Sequence, residues 1–385
     1  MKILYGVQAT GQGHISRARA MARAFKDLDV DVTWLFSGRD RDKLFGMKPF
    51  GNFMHRRGLS FRTEGGKVDI LSTVLSNNVP RFILDVTRLN IEQYDWVVTD
   101  FEPVTAWAAQ TAGVRAIGIG HQYAFGPTTP LSGETWLTSQ ILSHFAPVAT
   151  PIGLHWYPYA EQVMPPILDL PTFDDTQDDY ILVYLPFEDQ EEVLSWLQQF
   201  PQHRFKLYAG NLAIKRVGNV DCFKSNTDGF KYHLRACRGV ICNSGFELIS
   251  ECLQWGKPVL TKPLLGHMEQ SSNATALDRL GYAKTIRSLS HEALGSWLET
   301  RKFIPDIHFP NVADVLAKWL ANDCTDDLTA IGRDLWRQTS TLDLAAIETT
   351  RSSTATEALA RPPEYSDNAP LTQPVRSQSW HSSAL

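Results

Sequence analysis

The sequence has few cysteines, and they follow no disulfide or metal-binding pattern. Their number is odd, and no pair is separated by only two residues, so the spacing argues against both a zinc ribbon and a disulfide framework. Small apolar thiols in a reducing compartment are the expected state. The 385 residues contain five cysteines, at Cys222, Cys237, Cys242, Cys252 and Cys324.

Long apolar runs are also lacking. No stretch approaches the ~20 apolar residues that cross a bilayer. The start of the chain, Met1–Val7, contains an apolar stretch too short for the core of a secretory leader, so we expect a cytoplasmic protein. The net charge of −5 disfavours nucleic-acid binding through bulk positive charge.

Several catalytic motifs are absent as well. The chain has no Walker A lysine, no His-Glu-x-x-His zinc motif and no Gly-x-Ser-x-Gly elbow, which disfavours P-loop, metal-dependent and serine-hydrolase chemistry. A dinucleotide fingerprint is incomplete, because Ser16 stands where the third glycine would be. No acid follows the second predicted strand, which ends at Ser37-Gly38.

Short apolar runs alternate with helical patterns along most of the chain. Examples are the predicted strands Lys2–Val7 and Val30–Phe36, with a helical pattern over His14–Lys26 between them. Hydrophobic residues make up 43 % of the chain, which is typical of a globular protein. This rhythm predicts an α/β fold with doubly wound parallel sheets, and the length suggests two domains.

The rhythm breaks in a segment rich in proline and aspartate. Between Pro147 and Asp179 the chain carries six prolines and an acidic run, which indicates a join between domains. We predict one domain over 1–150 and a second over 151–340. The Ser, Thr, Ala and Pro content of 341–385 predicts a disordered tail.

The first candidate site is the loop Ala9–His14, between a predicted strand and a predicted helix. Ligands bind at such loops in open α/β sheets. Gly11 and Gly13 allow close backbone approach, and a helix N-terminus suits an anion. Histidine titrates near neutrality, so His14 is a candidate base. Arg17 shares its helix face and could bind an anionic acceptor or a phosphate.

The second candidate site is the segment Asn243–Glu251. Ser244 and Gly245 would lie at a helix N-terminus, where backbone N–H groups can hold a phosphate. Glu251 lies about two turns further on the same face, where its carboxylate can accept hydrogen bonds from a ribose diol. Glu247, one turn earlier, could serve as well.

A third segment, His267–Ala274, opens the next predicted helix. Glu269 and Gln270 stand in its first turn and could reach the hydroxyls of a sugar. Asp100, at the end of a strand predicted over 96–99, and His121 are two further candidates at the cleft between the domains.

These segments resemble a known signature. The series Ser-Gly-x5-Glu, Gly-x-Pro and Gln-x-x-Asn-Ala is similar to the donor site of GT-B glycosyltransferases that use UDP-sugars, in the MurG-like and UDP-glycosyltransferase groups. The Thr-Gly-Gln-Gly-His segment resembles their glycine-rich loop. An uncharacterised archaeal and bacterial glycosyltransferase family is similar too, through Thr99–Pro103 and His121-Gln122. The resemblance covers about residues 1–340.

The resemblance implies two Rossmann-like domains facing each other across a cleft. The expected partners are a nucleotide-sugar donor, with UDP as the expected carrier, and an unknown hydroxyl-bearing acceptor (a glycan, a lipid or a small molecule). The expected transfer inverts the anomeric centre and needs no metal ion or other cofactor.

The resemblance also assigns roles to residues. His14 matches a histidine proposed as base, with Asp100 and His121 as further catalytic candidates. Glu269 replaces the first of two glutamines that face the donor sugar, and Leu248 replaces a threonine at the diphosphate. The implied donor-binding residues are Gly11, Gly13, Asn243, Ser244, Gly245, Glu247, Glu251, His267, Glu269 and Gln270.

Two other functions stay open at this point. One is a nucleotide-sugar epimerase of the UDP-N-acetylglucosamine 2-epimerase type, and the other is a protein that binds a nucleotide sugar without turnover. The basic residues near the loop Gly58–Lys67 also leave two alternatives, an acceptor site and a peripheral membrane contact.

Overall fold

The fold is described from a computed structural model. It describes residues 1–340 except 61–62, 65–66, 69–77, 134–135, 173–176, 211–214, 226 and 301–306. The predicted disordered tail, 341–385, lies outside the described residues, and so does part of the loop Gly58–Lys67. Met1–Leu342 form one compact unit.

The strands and helices alternate along most of the chain. The strands are β1 (Lys2–Gln8), β2 (Asp31–Ser37), β3 (Met54–His55), β4 (Thr63–Glu64), β5 (Lys67–Val68), β6 (Trp96–Asp100), β7 (Ala116–Gly120), β8 (Thr150–Leu154), β9 (Val163–Met164), β10 (Ile181–Tyr184), β11 (Phe205–Ala209), β12 (Lys215–Val217), β13 (Val220–Lys224), β14 (Gly239–Asn243), β15 (Val259–Lys262) and β16 (Lys284–Thr285). The helices are α1 (Gln12–Phe25), α2 (Val79–Thr87), α3 (Pro103–Thr111), α4 (Trp136–His144), α5 (Gln190–Gln198), α6 (Thr227–Ala236), α7 (Phe246–Gln254), α8 (Met268–Leu280), α9 (His291–Thr300), α10 (Val312–Ala321) and α11 (Leu328–Gln338).

Two seven-stranded sheets dominate the fold. The first has the order β3-β2-β1-β6-β7-β8-β9, and all of its pairs are parallel. The second has the order β12-β13-β11-β10-β14-β15-β16, with one antiparallel pair between β12 and β13. We call residues 1–164 the first lobe and residues 180–300 the second lobe. The α/β prediction is confirmed.

Both faces of the first sheet are covered, which explains why its strands have no polar alternation. In β1, Ile3 and Tyr5 pack into the cluster that contains α1. Leu4, on the opposite face, packs into the cluster that contains α3. All three side chains are fully buried. Parallel strands that are buried on both faces read as near-continuous apolar runs.

Proline and glycine explain where several helices begin and end. Pro103 starts α3, because a proline at the first helical position loses no intrahelical hydrogen bond. Gly281 ends α8 with a left-handed φ of 68°. The segment after Asn311 forms two helices, because Asp323 and Cys324 have positive φ values and interrupt the helical backbone.

The segment predicted as a join begins inside the first sheet. β8 begins at Thr150 and β9 at Val163, and the buried side chains of Ile152 and Leu154 tie β8 to the core despite the nearby prolines. The first sheet therefore extends to Met164. The division into domains at residue 150 stays a prediction.

The last described helices return to the first lobe. α10 packs on α1, and α11 packs on β9. Trp336 anchors α11 by donating its indole N–H to the carbonyl of Val163 at 2.7 Å. Within the described residues, no helix is both long enough and apolar enough to span a bilayer.

Candidate active site

A cleft that is partly open to solvent lies between the two lobes. Its walls are formed by α1, α6 and α7 and by residues near the carboxyl ends of β10 and β13. This is the edge at which open α/β sheets bind ligands. The residues that line it are Gln12, Gly13, Ser16, Arg19, Phe45, Tyr184, Ser225, Phe230, Lys231, Glu247, Leu248 and Glu251.

His14 and Asp100 form a hydrogen-bonded pair near this cleft. His14 lies in the first turn of α1, and Asp100 is the last residue of the neighbouring strand β6. Nδ1 of His14 is 2.8 Å from Oδ1 of Asp100. Nη2 of Arg17 also lies 3.0 Å from this Nδ1. In the tautomer in which Nδ1–H donates to the Asp100 carboxylate, Nε2 is left as the proton acceptor. The His14 side chain is 15 % exposed and the Asp100 side chain is fully buried.

Arg17 completes the contacts of Asp100. Its Nε donates to Oδ2 at 2.8 Å and its Nη2 to Oδ1 at 2.6 Å, which is a bidentate pair. Its Nη1 donates to the carboxylate of Glu247 in the second lobe. The side chain is 1 % exposed. Each of its three nitrogens therefore has a protein partner, and the geometry gives Arg17 an internal role instead of the predicted contact with an acceptor or phosphate.

The charge of Asp100 follows from these neighbours. Burial acts to raise the pKa of Asp100, but Arg17 and His14 together outweigh it and lower the pKa below its usual value. Asp100 is therefore a carboxylate at neutral pH. A buried carboxylate bonded to an imidazole orients the ring and stabilises its protonated form.

The backbone just after Asp100 is fixed by a buried cap. Phe101 has a φ of 51°, and Glu102 is the N-cap of α3. The Glu102 carboxylate accepts hydrogen bonds from the backbone N–H of Val104 at 2.8 Å and of Thr105 at 2.7 Å. Burial raises the pKa of Glu102 despite these bonds. The Thr-Asp-Phe-Glu-Pro segment thus ends β6, turns the chain and starts the helix.

His121 lies inside the boundary between the lobes. Its Nδ1 is 2.8 Å from the carbonyl oxygen of Leu154, and its Nε2 is 2.7 Å from Oδ1 of Asn273 in the second lobe. The ring stacks on Phe246 with centroids 4.0 Å apart. With 1 % of the residue exposed and an oxygen within 2.8 Å of each ring nitrogen, this position favours a structural role over the predicted catalytic one.

The predicted phosphate turn lies at the start of α7. Gly245 is the N-cap, and no side chain caps the helix. The Ser244 hydroxyl lies 2.9 Å from the hydroxyl of Thr261, so it points to β15. Asn243 donates to the carbonyl of Lys262 at 3.0 Å. A phosphate at this turn would therefore depend on backbone N–H groups of the first helical turn and on the helix dipole.

Glu251, the predicted ribose ligand, lines the cleft. Its carboxylate forms a buried ion pair with Lys231 of α6. Burial raises the pKa of Glu251, and the charge of Lys231 lowers it by less. Arg19 and Asp169, which pair with each other at 2.6 Å, also act on Glu251 electrostatically. The carboxylate thus belongs to a buried charge cluster on one side of the cleft.

The residues predicted to face the donor sugar differ in orientation. His267 is the N-cap of α8. Oε1 of Gln270 accepts a hydrogen bond from the backbone N–H of Leu264 at 3.0 Å, so this oxygen already has a protein partner. Oε2 of Glu269 accepts from Nε2 of Gln122 in the first lobe at 2.9 Å.

Three histidines act on the charge of Glu269. Burial acts to raise its pKa, but His121, His267 and His14 outweigh this and lower it below the usual value. Glu269 is therefore ionised at neutral pH, and its negative charge interacts with His14, the candidate base. A neutral glutamine at this position would bring no such charge.

Sequence reasoning missed three residues at the site. Lys231 lies in a predicted helix but in no motif, Asp169 lies in the proline-rich segment, and Gln122 follows His121. Gln122 could have been identified as a site residue from the His121-Gln122 pair that the chain shares with the archaeal and bacterial glycosyltransferase family. Among the described residues, no group of three or more His, Cys, Asp and Glu side chains is placed to hold a metal ion.

Comparison with known proteins identifies the family. The family described as Glycosyl transferase family 1 matches residues 1–301. The chain belongs to this family. The resemblance to GT-B glycosyltransferases that the motifs indicated is thereby confirmed.

A curated relative covers only a short segment. An uncharacterized glycosyltransferase of Methanosarcina mazei is 34 % identical over 68 residues, which is 18 % of this chain and 18 % of the relative. The match thus spans under a fifth of that relative's length.

Solved structures of glycosyltransferases share the fold over most of the chain. SsfS6 of Streptomyces sp. SF2575, in complex with thymidine diphosphate, has a TM-score of 0.52 at 15 % identity and covers 88 % of this chain and 99 % of its own. UGT89C1 of Arabidopsis thaliana, in complex with quercetin, has a TM-score of 0.52 at 11 % identity and covers 93 % and 99 %. At these identities the likeness is one of fold, and the predicted GT-B architecture is confirmed.

Proposed function

We propose that this family member transfers a sugar from a nucleotide-sugar donor, with UDP as the carrier, to a hydroxyl group of its acceptor. One observation carries the proposal: the His14–Asp100 pair lies next to Gly13, which lines the same cleft as Glu247 and Glu251 of α7. A proton acceptor on one side and an anion-binding helix start with a carboxylate on the other are what this reaction requires.

The reaction follows from the two sides of the cleft. Nε2 of His14 accepts the proton of the acceptor hydroxyl while the hydroxyl oxygen bonds to the anomeric carbon of the donor. The bond from that carbon to the diphosphate oxygen breaks on the opposite face, so the configuration inverts. The proton stays on His14, where the Asp100 carboxylate stabilises it, and the α7 N-terminus stabilises the leaving diphosphate without a metal ion.

The donor side rests on Glu251. A ribose diol can donate two hydrogen bonds to this carboxylate if Lys231 yields part of its contact. The thymidine diphosphate in the SsfS6 complex supports a nucleoside diphosphate as ligand in this fold. Tyr184 and Phe230, whose ring centroids are 5.3 Å apart, add apolar wall next to the same carboxylate.

Binding measurements test the donor side without knowledge of the acceptor. Titration calorimetry with UDP, TDP and GDP should show binding of one base best, and Glu251→Gln should weaken it by about tenfold. Glu192→Gln, which neutralises an exposed acid on α5, is the matched control and should bind as the parent does. The absence of binding to every nucleoside diphosphate, or equal binding by Glu251→Gln, would contradict the proposal.

The alternative functions give different products. Incubation of the protein with UDP-sugar alone should give no C2 epimer, and a panel of glycan, lipid and small-molecule hydroxyls should identify an acceptor that is glycosylated. Formation of the epimer would establish the epimerase instead. Donor binding that survives His14→Ala, with no transfer by the parent to any acceptor, would indicate a binding protein without turnover.

A further inference from the structure

Arg17 joins two acids that come from different lobes. Asp100 ends β6 in the first lobe, and Glu247 lies in the first turn of α7 in the second lobe. The guanidinium bonds to both while it is almost completely buried. A separation of the lobes would remove one of the two anionic partners of Arg17. This loss is costly, because a buried charge is stabilised only by its partners.

The three charges decide how strongly the surroundings favour a protonated His14. Oδ1 of Asp100 lies 2.8 Å and Nη2 of Arg17 lies 3.0 Å from Nδ1 of His14, so their opposite charges nearly cancel at the imidazole. Glu247 adds a second negative charge to the same guanidinium, so the group as a whole carries a net negative charge. A net negative charge beside an imidazole stabilises the imidazolium that forms when it accepts a proton.

Other elements packed around His14 also contribute charge. Glu269 acts on it electrostatically from α8, and Tyr5 of β1 acts on both Arg17 and Asp100. Neither bonds to the guanidinium of Arg17. Removal of Glu247 alone therefore changes the charge that Arg17 presents and leaves the other groups in place.

We propose that Arg17 is a positioning residue that couples the contact between the lobes to the basicity of His14, with Glu247 as its anchor in the second lobe. The inference rests on the proposed role of His14 as base. The imidazole becomes an effective proton acceptor when the helix that begins at the donor turn is in place. When the lobes separate, Arg17 pairs with Asp100 alone. His14 is then a weaker base, which limits premature attack by water.

The test compares Glu247→Gln with the parent by two readouts. The first is a pH titration of the His14 ring by NMR with ¹⁵N-labelled histidine, assigned through His14→Asn. Loss of the Glu247 charge should move the titration of this ring toward lower pH. This readout needs neither donor nor acceptor, so it remains valid if the proposed transfer reaction is wrong.

The second readout is the dependence of turnover on pH, measured as nucleoside diphosphate release. In Glu247→Gln the acidic limb should move to lower pH, and the plateau of kcat should fall by about tenfold because a weaker base accepts the proton less readily. Glu247→Asp, which keeps the charge, should restore the position of the limb.

A matched control breaks a different contact between the lobes. Ser272→Ala removes the hydrogen bond from the backbone N–H of Ser132 to the Ser272 hydroxyl, 3.0 Å long, and changes no charge. It should leave the ring titration and the acidic limb as in the parent. An unmoved titration in folded Glu247→Gln, or an equal shift in Ser272→Ala, would overturn the proposal. If Glu247→Gln does not fold, Glu247→Ala removes the same charge and should move the ring titration in the same direction, and an unmoved titration there would equally overturn the proposal.

Discussion

The carboxylate of Glu247 occupies the space next to Gly13 that a β-carbon would need. An ideal Cβ on Gly13 would lie 2.3 Å from Oε2 of Glu247. Gly13 is inside α1, so the requirement is space and not an unusual backbone angle. The close approach of α1 and α7 at this glycine is what brings Glu247 within reach of Arg17.

We therefore expect Gly13→Ala to lower the free energy of unfolding by about 1–3 kcal/mol, because the added methyl displaces Glu247 from Arg17. Urea denaturation measures this. Gly11→Ala is the control for stability, since the nearest atom to a Cβ there is Cδ2 of His14 at 4.0 Å. If the loss acts through Glu247, the double variant Gly13→Ala with Glu247→Ala should lose less than the sum of the single losses. Additive losses would count against this cause.

Removal of the candidate base should separate chemistry from binding. His14→Ala is expected to lower kcat by a factor of about 10²–10⁴, because the acceptor hydroxyl then has no positioned proton acceptor. Calorimetry should show an unchanged affinity for the nucleoside diphosphate. His144→Ala, at an exposed histidine of α4, should leave kcat unchanged. Full activity of His14→Ala would rule out its role as base.

Strand ends and helix starts were predictable because they depend on local signals. The apolar run that ends at Asp100, followed by Pro103, fixed both a strand end and a helix start. The parallel-sheet rule then placed the ends of β1 and β6 at one edge, so the proximity of His14 and Asp100 could be expected from the sequence.

The partners of the site residues could not be predicted in the same way. Arg17 and Glu247 are 230 positions apart, and no local pattern relates them. The Ser244 hydroxyl and the Gln270 amide point inward because Thr261 and the backbone of Leu264 offer hydrogen bonds there. Such choices depend on tertiary neighbours, so a motif can place a residue at the site without giving its orientation.

Asp169 should make stability depend on acid pH. Burial acts to raise its pKa, but Arg19, Lys231 and Arg23 outweigh this and lower it. Because its pKa is lowered in the folded protein, ionised Asp169 stabilises the fold at pH values above its pKa in the unfolded chain, which is about 3.9. This stabilisation is lost as the pH falls through the folded value.

Asp169→Asn is therefore expected to lower the free energy of unfolding at neutral pH by about 3 kcal/mol, since it leaves buried Arg19 without its anion. The further loss of stability below about pH 4 should be smaller than in the parent. Unfolding curves over this range measure both. Asp334→Asn, which breaks the exposed pair with Arg337, should change little. Parallel pH profiles for Asp169→Asn and the parent would disprove the linkage.

The pair of His121 and Asn273 should contribute to the contact between the lobes more than to catalysis. His121→Ala removes a ring that stacks on Phe246 and bonds to both lobes, so we expect a loss of about 3 kcal/mol in the free energy of unfolding. Asn273→Ala should lose less, and a double-mutant cycle should give a coupling of about 1 kcal/mol.

If His121 were a proton acceptor instead, His121→Ala would lower kcat as much as His14→Ala while Asn273→Ala left kcat intact. Loss of a shared contact predicts that both variants change kcat by similar, smaller factors, because each loosens the same boundary between the lobes.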